Sequence, residues 1–170
     1  MFNLDDILVS PTPRAALQEA GASLEDKLHT STTSVNIGPI PISTGTTYTR
    51  AHIWTLPVST GLEAAFVRES FKHMIIKLFK SELQVGDLVF DEAVYISTET
   101  PEATKAFLKD DVVIGALLSL ISAGGDLAIE GQTVTIRASD NVDDGVTPNE
   151  RDEAVIVAHL MAFEGGDVSE

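Results

Sequence analysis

The chain has 170 residues and carries 26 acidic against 11 basic side chains, a net charge of −15. With 44% hydrophobic and 22% charged residues it has the composition of a soluble globular protein. A chain of this length buries roughly 68–70% of its unfolded surface, which excludes wholesale disorder, a disulfide scaffold and low-complexity classes.

The negative field repels phosphate backbones and anionic membrane surfaces, so no nucleic acid and no membrane are expected as partners. It suits a basic protein or cations, and it also serves solubility alone. The absence of cysteine removes disulfides, thiolate nucleophiles, Cys-ligated zinc and iron–sulfur clusters. The N-terminus is acidic where a signal peptide is basic. The longest apolar stretch, 112–123, falls short of the roughly 20 residues of a membrane span. A cytoplasmic location is expected.

Taken in chain order, Thr12-Pro13 marks a helix start, with Pro at the first helical position, and predicts a helix over 13–28. Positions 30–34, a Ser/Thr run, read as a mobile segment. A short strand at 34–37 precedes the turn Gly38-Pro39-Ile40-Pro41. Alternation over 46–56 predicts a strand with Tyr48, Arg50, His52 and Trp54 on one face. Over 67–79, apolar residues at helical spacing predict an amphipathic helix, with Arg68, Lys72, Lys77 and Lys80 as the one basic island.

A second strand is expected over 88–97. Thr100-Pro101 opens a helix over 101–109, and a buried helix over 110–122 ends at Gly124-Gly125. Its Gly115, Ser119 and Ser122 form a stripe of small residues where another element can approach. Two strands flank Gly131-Gln132, a hairpin signal of the Gly-X type. An acidic loop over 138–145 leads to Thr147-Pro148-Asn149-Glu150, a capping box that predicts a buried helix over 148–163. Strands early and late around helices, without regular βαβ alternation, give an α+β fold: one domain over 1–170, a mainly antiparallel sheet covered by helices on one side. The N-terminal segment 1–30 and the acidic tail 164–170 are expected to be peripheral.

The residues Val85-Gly86-Asp87-Leu88-Val89-Phe90-Asp91, then Val94-Tyr95-Ile96, Pro101-Glu102-Ala103 and Phe107-Leu108 resemble a recurring bacterial pattern. The segment 82–136 is similar to an uncharacterised bacterial domain family often found after transmembrane helices. In that pattern a Gly-Asp turn and a Phe-Asp pair open a strand, and a short helix and a hairpin follow. The resemblance implies a fold and no activity, and this sequence departs from it in having no membrane span.

Candidate chemistry is sparse. Counting Asp140 as the first position of a calcium loop puts Val142 third and Arg151 twelfth, where oxygen ligands are required. His29, His52, His73 and His159 are isolated, so no metal is expected. No nucleophile elbow, dinucleotide fingerprint or P-loop occurs, and no cofactor is expected. The candidate binding residues are Tyr48, Arg50, His52 and Trp54, a composition found at protein interfaces and sugar-binding platforms, unless Trp54 caps the core and Tyr48 packs under a helix. The basic island is either a contact surface for an acidic partner or the solvated face of a helix. The favoured function is non-catalytic: a protein-binding or self-associating module. Two alternatives are an enzyme or small-ligand binder assembled from His52, His73, Asp87 and Asp91, and an acidic inhibitor of a basic protein.

Overall fold

The computed structural model describes residues 4–68, 81–140 and 149–163. Two short helices, α1 (Leu4–Leu8) and α2 (Pro13–Glu19), precede two long strands, β1 (Ser23–Ile37) and β2 (Ile40–Thr55). Next come β3 (Glu63–Arg68), β4 (Ser81–Leu83), α3 (Leu88–Ala93), β5 (Val94–Thr98) and α4 (Pro101–Phe107). The chain continues through α5 (Asp111–Ser122), β6 (Asp126–Glu130), β7 (Thr133–Asp140) and α6 (Glu150–Ala162). The strands form one sheet in the order β1-β2-β7-β6-β3-β5-β4, with every neighbouring pair antiparallel. The fold is α+β, an antiparallel sheet with helices packed on it.

Pairing register defines the core face. One row runs across all seven strands of the described residues: Asp26, His52, Ile136, Leu127, Phe66, Ile96 and Leu83. Because strand side chains alternate between faces, the members of this row share one side. Its apolar members are buried with Ile7, Leu17, Phe90, Phe107, Val113 and Ile156, so every helix contributes to the same core. Ala65, Val67 and Tyr95 form a smaller cluster on the opposite face.

Several expected elements are corrected. The helix expected over 13–28 ends at Glu19, where Gly21, at φ +111°, donates to the Gln18 carbonyl and Ala22 donates to the Leu17 carbonyl. That paired closure ends a helix and releases the chain into β1. Ile7 and Leu17 are buried in the core, so the N-terminal segment is not peripheral. Positions 30–34 lie within β1 rather than in a loop. β3 takes Val67 and Arg68, where the amphipathic helix was expected to begin; the rest of that stretch, 69–80, lies outside the described residues.

The strand expected over 88–97 begins at Val94, because residues Leu88–Ala93 are helical. Asp87 accepts from the Phe90 amide at 3.1 Å, an N-cap that starts α3. Thr12 and Thr100 occupy N-cap positions but make no side-chain cap bond. Asn149 caps α6 instead of the expected Thr147, accepting from the Arg151 and Asp152 amides. Residues 138–140 of the expected acidic loop complete β7, and 141–148 and the tail 164–170 lie outside the described residues. The α5 terminus follows expectation: Gly124 donates to the Ile121 carbonyl and Gly125 to that of Leu120.

Candidate functional site

Alternation in β2 places Arg50, His52 and Trp54 on one face, and that face lies beneath the helices. Trp54 is fully buried and His52 is 3% exposed, which corrects the expectation of an open contact face. The side chain of Tyr48 lies outside the described set. A histidine in the core row needs a polar partner, and α6 supplies one that the sequence reading did not single out.

Glu153 lies in the first turns of α6, its side chain completely buried. Its Oε2 takes a hydrogen bond from His52 Nδ1 at 2.5 Å and one from Trp54 Nε1 at 3.2 Å. Its Oε1 accepts from Arg14 Nε on α2, and Arg14 Nη1 lies 3.7 Å from Glu150 Oε2. On the far side of the imidazole, His52 Nε2 is 3.7 Å from Asp26 Oδ2, and that oxygen accepts from Arg50 Nη1 at 3.1 Å. The groups therefore run Arg14, Glu153, His52, Asp26, Arg50 across α2, α6, β2 and β1.

The arrangement is explained by solvation. A buried carboxylate costs several kcal/mol unless charge and hydrogen bonds replace the water it has lost. Here one guanidinium compensates the charge, and three donors occupy the carboxylate. The cluster's effect is to fix α6 and α2 to the root of the β1–β2 hairpin. A second tie fixes α6 to α5: His159 Nδ1 donates to the Val155 carbonyl at 2.7 Å, and Nε2 faces Asp110 at 3.3 Å.

The composite site expected from His52, His73, Asp87 and Asp91 does not assemble from its described members. Asp91 accepts from the Val85 and Gly86 amides, both at 2.9 Å, while Asp87 caps α3. α3 packs at β5, four strands from β2, which is roughly 19 Å at the usual strand spacing. His73 lies outside the described residues, as do Lys72, Lys77 and Lys80 of the basic island. Arg68 donates to the Ser122 carbonyl at 2.9 Å. Within the small-residue stripe, Ser119 reaches Asp152 of α6 at 2.7 Å, whereas Gly115 faces open space. A cavity of about 200 Å³ lies between α1 and the start of α6, lined by Leu8, Pro13 and Arg151 among others. No group of three metal-ligating side chains occurs among the described residues.

The most distinctive element is the hairpin that the charge cluster roots. Among the described residues, β7 pairs with β2 from Tyr48 to Thr55. Beyond that point, among the described residues, Ser31–Ile37 pairs with 40–47 alone, forming a two-stranded arm roughly 24 Å long at the strand rise per residue. Its tip is a two-residue turn, Gly38-Pro39, with Gly38 at φ +64°, the signature of a type II′ hairpin turn. Positions 28–49 contain no Asp, Glu, Lys or Arg. The sequence signal for the arm was present: a Gly-Pro turn between β-branched runs, with charge removed on both sides. Compared with family models, curated proteins and solved structures, the chain matches none. Among the described residues no helix is long and apolar enough to cross a membrane.

Proposed function

We propose that the protein is a non-catalytic protein-binding or self-associating module whose contact element is the β1–β2 arm. The observation that carries this reading is an uncharged two-stranded arm projecting from a strongly acidic protein. A two-stranded hairpin is marginal on its own, and its outer edges offer unpaired backbone donors and acceptors. Protein edges are ordinarily blunted by charged side chains; here charges are absent over the whole arm. Strand addition to such an edge gives affinity through main-chain hydrogen bonds. The ionic groups at the arm's root support the reading from the other side. Glu153, His52 and Asp26 are engaged with one another and with arginines, and they lock the arm's root to the helical layer.

The test is a shortened arm, with residues 32–46 replaced by Asn-Gly between Ser31 and Thr47, which face each other across the hairpin. The expected result is a folded protein with unchanged core stability that no longer associates. Association equal to that of the full chain would refute the arm as the contact element.

A further inference from the structure

We infer that the arm's partner is a second copy of this chain, paired antiparallel along the outer edge of β1; the inference rests on the arm being the contact element. Two edges are available in principle, and the backbone distinguishes them. Ile37 and Ile40 flank the two-residue turn and so exchange hydrogen bonds with each other. Counting back along β1, the amides and carbonyls of Asn36, Ser34, Thr32, Thr30 and Leu28 then point outward. No strand pairs with that edge among the described residues.

The other edge, on β2, is blunted. Asn36 faces Pro41 across the hairpin, so position 41 points outward on β2, where proline has no N–H to offer. Ser34 pairs with Ser43 and Thr33 with Gly45, leaving Thr44 as an extra residue that breaks the regularity of β2. β1 carries neither obstruction over its 15 residues.

Charge selects the occupant. Two molecules of net charge −15 repel wherever acidic surfaces meet, and positions 28–49 are free of that repulsion. A basic foreign partner would instead gain by docking on the acidic surface, which the arm does not offer. An antiparallel edge related by a two-fold axis presents the same donors and acceptors to its copy, so the pairing closes as a dimer.

Sedimentation of the purified chain from micromolar to submillimolar concentration tests this, with Thr32→Pro and Ser43→Pro as paired variants. Thr32→Pro deletes an outward amide of β1, and Ser43→Pro deletes one on the β2 edge. The expected result is a wild-type dimer, at least tenfold weaker association for Thr32→Pro, and no change for Ser43→Pro. If Thr32→Pro unfolds the arm by circular dichroism, Thr32→Glu takes its place, adding like charge to both copies along the paired edge. A wild-type monomer at every concentration, or a Thr32 variant that dimerises like wild type, overturns the inference. The broader reading fails separately: a monomer that captures a foreign protein only with its arm intact retains the module and loses the second copy.

Discussion

His52 on β2 and Glu153 on α6 meet at 2.5 Å, although 101 positions separate them in the chain. Both are buried, and Trp54 and Arg14 complete the carboxylate's shell. This contact joins the root of the arm to the helix that packs against α1, α2 and α5. The ionic cluster thereby ties the root of the hairpin to the helical layer, as the proposed contact role of the arm requires.

Glu153→Ala should therefore destabilise the fold strongly, because it strands His52, Trp54 and Arg14 without their acceptor. Breaking a buried pair by removing one partner costs about 3–5 kcal/mol. In a chain of this size that lowers the melting temperature by roughly 10 °C. Thermal and urea denaturation read the effect directly. A loss under about 0.5 kcal/mol, the range of ordinary surface substitutions, would show that the cluster is not holding α6.

The Arg14–Glu153 contact should be coupled rather than additive. A double-mutant cycle with Arg14→Ala and Glu153→Ala is expected to give an interaction energy above about 1 kcal/mol, as residues in one hydrogen-bonded network do. Additive effects would place the stabilisation of Glu153 on His52 and Trp54 alone.

Two glycines should respond with opposite sign. A methyl group at Gly125 would sit 2.7 Å from the Arg137 carbonyl oxygen and 2.7 Å from Leu120 Cδ1, so Gly125→Ala should destabilise by about 1–3 kcal/mol. At Gly115, within α5, the same change meets nothing within 4 Å. Relief of glycine's helix penalty should then stabilise by about 0.5–1 kcal/mol. Equal effects of the two substitutions in denaturant titrations would contradict the packing described for α5.

Glu63 gives a pH dependence. Burial first, then the neighbouring Glu130 and Glu99 carboxylates, push its carboxyl above the ordinary value of 4.5. The folded state therefore holds this proton more tightly than the unfolded chain does. Its contribution to stability is fully present below pH 4.5 and is lost as pH rises through the elevated folded value. Glu63→Gln should stabilise the protein at neutral pH by a few tenths of a kcal/mol, the scale of a cross-strand charge pair, and the gain should vanish in acid. A gain that persists unchanged below pH 4 would assign it to something other than charge.

The sequence was most legible where local chemistry decides structure. The boundaries of α5 follow from Asp110, which caps it, and from Gly124-Gly125, which close it. The buried character of α6 follows from its all-round apolar run. The β6–β7 hairpin follows from Gly131, at φ +63°. Legibility failed where a short-range signal competed with a weaker pattern. Gly21 ended α2 well before position 28, and Asp87 with Asp91 folded Leu88–Ala93 into a helix where an apolar run had read as a strand. The site was half legible. Arg50, His52 and Trp54 were recognisable as one face, yet nothing local reveals which face of a strand is buried. Glu153 looked like an ordinary first-turn acid, because its partners come from other elements. The arm was missed because Ser and Thr runs read as loop, although β-branched threonine is a good strand former.

The most direct measurement is amide hydrogen exchange along β1, followed by NMR at low and at high protein concentration. Within the hairpin the amides of Thr33, Val35 and Ile37 point toward β2, while those of Thr30, Thr32, Ser34 and Asn36 point away. On association the outward set alone should gain protection, so that alternate residues slow while their neighbours stay unchanged. Outward amides that exchange at the same rate at both concentrations would contradict pairing along β1, and with it the second copy as the arm's partner.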